Sequence, residues 1–439
     1  MDPRTFPDGF LWGAATAAHR VEGDNRTSDW WEWETDPAST VPLAEPSGIA
    51  CDHYHRYRDD IALLARLGLN AYRFSVEWAR VEPRAGEFDE AALAHYSDVV
   101  AACLQSCVTP IVTLQHFTLP AWVAHAGSWL NPDMADYFAR YTRKVVERLG
   151  DRVTYFCTIN EPGNLLTRGY LGTFPTPPFL QDLPAFDTAA ATVNAAHRRS
   201  RDVIKELFPS ARVGMAHALQ DWRANPAGMA VMTFARELYE DRFFAETGHD
   251  DFIGVQTYTR VEVDLPNLAR LLTAGMLRSR RLTGSVLLPL LRRSARAAEP
   301  AEPAEPAEGN RPGGRRRTEM GWLWAPEAVE MAARRLGGLF PGKELLITEH
   351  GLATKDDAER IEYIDAGLRS VQRMLDDGLP VSGYVYWSLL DNYEWRHGYR
   401  PTFGLVAVDR TTQERTVKAS ARWYGGVAST KQLPASATE

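Results

Sequence analysis

Short apolar runs rich in branched side chains alternate along the chain with longer segments in which apolar residues recur at helical spacing. Before residue 71, for example, Ile61, Leu64 and Ala65 recur three or four positions apart, as on one face of an α-helix. The apolar runs predict eight strands, at 10–15, 71–75, 110–114, 153–159, 212–216, 252–258, 344–348 and 382–387. Helices are predicted between them, at 134–149, 188–208, 326–336 and 357–377, with one ending near Glu246 and a final one starting near Lys418.

Eight strands alternating with helices predict an α/β fold, a single (β/α)8 TIM barrel that occupies residues 1–439. The competing α/β architecture is a doubly wound open sheet. Its usual Gly-x-Gly-x-x-Gly turn does not follow the first strand, where Gly9 and Gly13 have a different spacing. In a barrel, parallel strands bring their C-terminal ends to one mouth, so catalytic residues are expected there.

Residues 262–317 interrupt this alternation and are interpreted as an insertion in the barrel. Their first part, 268–296, mixes leucines with arginines, as a basic amphipathic helix pair would. Their second part, 298–308, repeats Ala-Glu-Pro and is predicted to be disordered or extended, because this composition cannot build a core. We expect a solvated lid over the barrel mouth; contact with a membrane surface or a partner is the alternative.

Composition and charge limit the classes of function. The chain is 45% hydrophobic and 24% charged, which is typical of a globular protein with a large core. Its net charge of -8 and pI near 5.8 argue against binding to nucleic acid or to anionic membranes. The N-terminus has no signal pattern and no apolar run is long enough to span a membrane, so a cytoplasmic protein is expected. The four cysteines lack zinc-site spacing and are predicted to be buried free thiols.

Two glutamates occupy equivalent positions at the ends of predicted strands. Glu161 follows the fourth strand in the sequence 158–162, Thr-Ile-Asn-Glu-Pro, and Glu349 ends the seventh in Ile-Thr-Glu. Two carboxyl groups that converge in an enclosed mouth separate into an acid and an anion, which is the pair that glycosidic bond cleavage requires. Further polar and aromatic groups are predicted at other strand ends: Arg73, His116, Tyr258 and Trp387.

The loop after the eighth strand adds groups suited to a carbohydrate. It contains Glu394, which can accept hydrogen bonds from hydroxyl groups, and Trp395, whose indole face can pack on the C–H face of a sugar. The chain has 13 tryptophans, and several lie near predicted strand ends or mouth loops. This supply of aromatic surface favours a carbohydrate cleft.

The motifs together resemble those of glycoside hydrolase family 1, the β-glucosidase family, over essentially the whole chain except the insertion. Residues 6–16 with 21–23 are similar to the opening signature of that family. Residues 158–162 match its acid/base motif, and 347–351 resemble its nucleophile motif. Residues 388–395 match its sugar-binding loop.

The resemblance implies a retaining β-glycosidase that acts on a small-molecule glycoside without a metal or an organic cofactor. Glu161 would be the general acid/base and Glu349 the nucleophile, at the ends of strands four and seven. Arg73 and Tyr258 would orient Glu349. The two carboxyl groups of a retaining enzyme are expected roughly 5 to 5.5 Å apart.

The same resemblance implies a set of residues that bind the glycone, the sugar whose anomeric carbon is attacked. Asn160 would bind its 2-hydroxyl and His116 its 3-hydroxyl. Glu394 would hold the 4- and 6-hydroxyls, with Trp387 as a platform and Trp395 as a polar contact.

Several positions depart from the family pattern near this predicted glycone subsite. Arg20 is a substrate-binding position where the family has glutamine; a guanidinium only donates hydrogen bonds, whereas an amide also accepts them. Phe117 replaces a tryptophan, Gln256 an asparagine, Thr257 a tyrosine and His350 an asparagine. We therefore expect an altered glycone subsite, with a glycone that is anionic or otherwise modified at its 3- or 4-position.

The sequence leaves two alternatives to a hydrolytic function open. A transglycosidase, or a tailoring enzyme for an unusual sugar conjugate, would explain Arg20 and a lid that shields the intermediate from water. A catalytically silent carbohydrate-binding protein is the alternative of another class, although both catalytic carboxylates are present. The sequence does not indicate the oligomeric state.

Overall fold

The computed structural model describes residues 5–37, 43–264 and 316–435. Eight parallel strands close into a barrel, and this confirms the predicted (β/α)8 fold. The barrel strands are β1 (Leu11–Ala15), β2 (Ala71–Ser75), β3 (Thr109–Gln115), β4 (Tyr155–Asn160), β5 (Arg212–Ala218), β7 (Phe252–Gln256), β9 (Glu344–His350) and β10 (Val381–Trp387). Pairing of β1 with both β2 and β10 closes the ring, so the predicted fourth and seventh strands are β4 and β9.

Helices surround the barrel between successive strands. The longer ones are α3 (His53–Arg66), α5 (Glu90–Gln105), α7 (Met134–Leu149), α8 (Pro162–Leu171), α9 (Leu183–Leu207), α10 (Met229–Tyr239), α11 (Ala328–Leu339), α12 (Asp357–Asp376) and α13 (Ala419–Thr430). Shorter helices lie in the connections: α1 (Ala18–Val21), α2 (Asp29–Thr35), α4 (Trp78–Val81) and α6 (Ala121–His125). The α9 helix starts five residues earlier than predicted, because Asp182 caps its N-terminus by accepting a hydrogen bond from the Ala185 amide.

Two small sheets outside the barrel were not predicted. In one, β6 (Asp221–Ala224) pairs in parallel with β8 (Arg260–Val263); in the other, β11 (Val406–Val408) pairs antiparallel with β12 (Arg415–Val417). Their strands have three or four residues and mixed polarity, so no periodic pattern marks them.

Both strands that end in a candidate catalytic glutamate contain an irregularity. On β4, Cys157 pairs with Gly214 but Asn160 pairs with Ala216, so β4 carries one extra residue. The extra residue interrupts the alternation: Thr158 bonds His197 in the outer layer, Ile159 also packs in the outer core, and Asn160 returns inward. A β-bulge of this kind re-aims the side chains that follow it.

A similar shift occurs on β9. Val255 pairs with Ile347, whereas the next residue, Gln256, pairs with Glu349, so Thr348 is the extra residue. The bulge lies directly before Glu349. Both candidate catalytic carboxylates thus follow a bulge at the mouth of the barrel.

Two sequence-based expectations about other regions have different outcomes. Residues 265–315 lie outside the described residues, so the predicted insertion at 262–317 stays a prediction, with 262–263 forming the end of β8. Cys51, Cys103 and Cys157 are buried free thiols as predicted, but the prediction was wrong for Cys107, which is exposed because α5 ends at Gln105.

No helix in the described part of the chain is long and apolar enough to cross a membrane.

Candidate active site

The barrel mouth brings together all ten side chains that the sequence placed in a site. Nine of the ten are buried, and Tyr258, which lies two residues beyond the end of β7, is partly buried. The nine buried residues are Arg20, Arg73, His116, Asn160, Glu161, Glu349, Trp387, Glu394 and Trp395.

Glu349 is held by hydrogen bonds to both of its carboxylate oxygens. The guanidinium Nη1 of Arg73 lies 2.5 Å from Oε1, and the Tyr258 hydroxyl lies 2.5 Å from Oε2. Burial, together with the negative charge of Glu349, raises the pKa of Tyr258 well above its usual range, so this hydroxyl remains a donor. The two donors stabilise an anionic carboxylate and fix its orientation at the end of β9.

Glu161 occupies a different electrostatic environment. Burial, and secondarily the negative charge of Glu349, raise the pKa of Glu161 to about 7. Its Oε2 accepts one hydrogen bond, at 2.9 Å, from the Asn164 amide on the first turn of α8. The backbone of Glu161 is in the left-handed region (φ 46°), at the junction of β4 and α8. At neutral pH this carboxyl group therefore populates both its protonated and its ionised form.

Asn160 links Arg73 to His116. Its Oδ1 accepts from Arg73 Nη2 at 2.6 Å and from Gln256 Nε2 at 2.9 Å, and its Nδ2 lies 3.3 Å from His116 Nε2. Burial and the charges of Arg73 and Arg20 hold the pKa of His116 well below its usual range. The neutral ring accepts at Nε2 and so carries its proton on Nδ1, which has no protein partner among the described residues.

Arg20 forms a buried ion pair with Glu394. Its Nη2 contacts Glu394 Oε1, and its Nε donates to the Tyr393 carbonyl at 2.8 Å. The guanidinium carbon lies 4.5 Å from the ring centroid of Trp387 and 5.4 Å from that of Trp395. Burial raises the pKa of Glu394 to about 7 even though the Arg20 charge opposes the shift.

The aromatic wall of the site is made by Trp387, Trp395 and Phe117. Trp387 is nearly parallel to the His116 ring, with centroids 5.9 Å apart. Trp395 stacks on His19 at 5.7 Å and meets Phe117 edge to face at 5.6 Å. Phe117 thus fills space at the mouth but has no polar group to offer a substrate.

His350 does not line the site, contrary to what its neighbourhood in the sequence suggested. Its Nδ1 lies 2.7 Å from the Tyr384 hydroxyl, and its ring stacks on Tyr363 of α12 at 4.7 Å, in the layer between barrel and helices. Successive residues on a strand point to opposite faces, so Glu349 faces inward and His350 outward. The following Gly351 is required because a Cβ would lie 2.0 Å from the Trp387 carbonyl oxygen.

Two residues near Glu161 were missed by the sequence reasoning. Asn164 bonds its carboxyl group, and the positive charge of Arg168 acts on it. Both lie on α8 at positions i+3 and i+7 from Glu161, which place them on the same helical face. This spacing could have indicated that the two residues lie near Glu161. It does so only if a helix starts at residue 162, and that start was not predicted.

The pair of carboxyl groups has complementary properties. Glu349 is oriented by two donors as an anion, whereas Glu161 can keep a proton near neutral pH. An acid and an anion that face one enclosed cleft can protonate a leaving oxygen and attack the adjacent carbon. No group of three or more His, Cys, Asp or Glu side chains in the described ranges could hold a metal ion.

Comparisons with known proteins indicate one family. The sequence model of Glycosyl hydrolase family 1 matches residues 2–268 and 292–433. Thermostable beta-glucosidase B from Thermobispora bispora is 35% identical, covering 96% of this chain and 90% of that protein. Beta-glucosidase A from Thermotoga maritima is 30% identical, covering 97% and 98%.

A solved structure has the same architecture. The beta-glycosidase from Pyrococcus horikoshii is 33% identical and superposes with a TM-score of 0.82, covering 98% of this chain and 96% of that one. Because the family match spans nearly the whole chain and agrees with the fold, this chain belongs to glycosyl hydrolase family 1, whose enzymes hydrolyse O-glycosidic bonds with retention.

Proposed function

We propose that this protein is a β-glucosidase-like retaining glycosidase that hydrolyses a small-molecule β-O-glycoside by double displacement, with Glu349 as nucleophile and Glu161 as acid/base. The observation that carries these roles is the contrast between the two carboxyl groups. Arg73 and Tyr258 hold both oxygens of Glu349, whereas Glu161 receives one amide hydrogen bond and has a pKa of about 7.

The first displacement forms a glycosyl-enzyme. A carboxylate oxygen of Glu349 attacks the anomeric carbon, the bond to the leaving oxygen breaks, and Glu161 transfers its proton to that oxygen. In the second displacement Glu161, now ionised, takes a proton from water as the water oxygen attacks the same carbon. Glu349 is released as a carboxylate, and Glu161 is again protonated for the next cycle.

The remaining residues are assigned to the glycone. Asn160 would donate to the 2-hydroxyl, since its Oδ1 is already occupied by Arg73 and Gln256. His116 would donate to the 3-hydroxyl through Nδ1, the ring nitrogen that has no partner among the described residues. Trp387 would pack against the sugar ring, and Trp395 would lie at the edge of the sugar site.

An altered glycone subsite is supported by the contacts of Arg20. Its guanidinium pairs with Glu394, the residue assigned to the 4- and 6-hydroxyls, and packs over the ring of Trp387. A sugar that uses Glu394 must therefore compete with a buried ion pair. Pairing with Glu394 also offsets the Arg20 charge, which weakens the reason to expect an anionic glycone and favours one whose 4- or 6-position is modified in another way.

The test is the stereochemistry of the first product. The protein is incubated with 4-nitrophenyl β-D-glucoside, and the anomeric protons of the released sugar are followed by NMR before mutarotation. The β-anomer should appear first. Early release of the α-anomer, or a carboxyl separation near 8 Å in a crystal structure instead of roughly 5 to 5.5 Å, would exclude double displacement.

A further inference from the structure

Arg168 lies on the side of the cleft from which a leaving group would depart. It follows Glu161 by two turns of α8, and its charge acts on the Glu161 carboxyl group. Its guanidinium carbon lies 5.5 Å from the ring centroid of Phe117 and 5.2 Å from that of Phe174. Arg168 is half-buried, and its guanidinium lies near both rings. We assign it to the leaving-group side because Glu161 is the proposed donor of the proton to the leaving oxygen.

Side chains of the loop after β10 also lie near Phe174. The guanidinium carbon of Arg396 lies 4.9 Å from the Phe174 centroid, and the His397 ring lies 6.1 Å from it. Arg400 Nη2 lies 3.5 Å from His397 Nδ1. His397 Nδ1 is then the acceptor, so Nε2 carries the proton, and this buried N–H has no partner among the described residues.

Two of the three guanidinium groups at this wall lack an ion pair among the described residues, although the Glu45 carboxylate lies nearby, where it accepts a hydrogen bond from the Tyr399 amide. Neither Arg168 nor Arg400 has a carboxylate at ion-pair distance in the described part of the chain. Glu161, the carboxyl group on which Arg168 acts, is protonated in the form that starts the reaction. Across the cleft, the charge of Glu394 is already paired with Arg20. Arg168 and Arg396 both lie over Phe174, and Arg400 contacts His397. Burial and the charges of these three groups lower the pKa of His397 to about 4.

We propose, on the basis of the function assigned above, that this wall is a subsite for an anionic aromatic aglycone, the part of the substrate that leaves. Phe174 and Phe117 would contact the face of its ring. A carboxylate on that ring would accept hydrogen bonds from Arg168, Arg400 and His397 Nε2, in the geometry that guanidinium groups favour. The carboxylate is not consumed: the glycosidic bond breaks as before, and the proton from Glu161 goes to the phenolic oxygen.

The test compares two aryl glucosides that differ in one charge. The probes are 4-carboxyphenyl and 4-carbamoylphenyl β-D-glucoside, which have similar size, and kcat/KM is measured for each. The natural sequence should prefer the anionic probe by roughly 10-fold or more, a ratio that falls at high salt because the charges are partly exposed. In Arg168→Gln the ratio should drop at least about fivefold, whereas Arg143→Gln, on the outer face of α7, should leave it unchanged.

A second measurement separates this subsite from the catalytic roles. Binding of 4-hydroxybenzoate and 4-hydroxybenzamide to the Glu349→Gln variant is measured by calorimetry. Tighter binding of the benzoate, lost in the double variant with Arg168→Gln, supports the subsite even if neither glucoside is hydrolysed. Equal affinity for the two, or a kcat/KM ratio near one that Arg168→Gln does not change, overturns it. Arg400→Gln replaces Arg168→Gln if the latter does not fold, because Arg400 is exposed.

Discussion

Arg73 and Glu349 form a buried ion pair across the barrel mouth, with Arg73 Nη1 2.5 Å from Glu349 Oε1 and side-chain exposures of 1% and 5%. The same guanidinium bonds Asn160 through Nη2 at 2.6 Å. Because β2, β4 and β9 are not all neighbours in the barrel, Arg73 connects separate strands through the interior. A single buried cation thus sets the orientation of the proposed nucleophile and of a proposed sugar-binding amide.

Replacing Glu349 by glutamine should abolish turnover of an aryl β-glucoside. An amide cannot attack the anomeric carbon, so kcat/KM should fall by roughly 10⁴-fold or more while thermal unfolding stays cooperative. The matched control is Glu344→Gln at the other end of β9, where the carboxylate pairs with Arg212 far from the mouth. Equal losses in both variants would contradict a chemical role for Glu349.

The pH dependence should report the proton on Glu161. The first displacement needs this carboxyl group protonated, so kcat/KM should decline above a pH of about 7. In Glu161→Gln the decline should vanish, and glucosides with poor leaving groups should lose roughly 10² to 10⁴-fold in rate. The pKa of Glu394 is also raised to about 7, so Glu394→Gln is the control. In that variant the decline of kcat/KM at alkaline pH should persist. If the alkaline decline of kcat/KM persisted in Glu161→Gln, the titrating group would be a residue other than Glu161.

The same raised pKa should cost folding stability at alkaline pH. The pKa of Glu161 is near 4.5 in the unfolded chain and about 7 in the folded protein. Between these two pH values the folded protein binds more protons than the unfolded chain. The free energy of unfolding therefore falls as the pH rises through this window. Glu161→Gln removes that cost and should stabilise the fold by up to about 3 kcal/mol at pH values of about 8. Urea unfolding at about pH 8 and about pH 4.5 measures this, and the gain should shrink at the lower pH. A variant that is less stable at about pH 8 would contradict the expectation.

Replacing Arg20 by glutamine should widen the choice of glycone. The substitution frees Glu394 and supplies a group that both donates and accepts, so kcat/KM for plain glucosides and galactosides should rise by about 10-fold, the value of one hydrogen bond. Arg26→Gln is the control, because Arg26 lies in the same connection with a side chain that is 71% exposed. No gain in a folded Arg20→Gln variant would remove Arg20 as the cause of altered specificity.

The amino-acid sequence alone was enough to predict the architecture and the proposed reacting pair. Strand and helix periodicity over the whole chain is a local property, so eight alternations were enough to predict a closed barrel. Barrel topology then requires that residues ending different strands meet at one mouth, which is why Glu161 and Glu349 could be paired from 188 positions apart. Bulges at residues 158–159 and at Thr348 left no mark in the apolar pattern, although they decide which side chains turn inward.

The neighbours of several polar groups follow from the folded arrangement and were not predictable from the sequence. Arg20 and Glu394 are 374 positions apart, and nothing local in either segment indicates that they form a buried ion pair. His350 follows Glu349 directly, yet strand alternation turns it into the outer layer. Arg168 drew no attention in the sequence, where an arginine on a helix is usually a solvated charge. Contacts between distant segments depend on side-chain direction and packing, and these follow from the folded backbone and not from spacing along the chain.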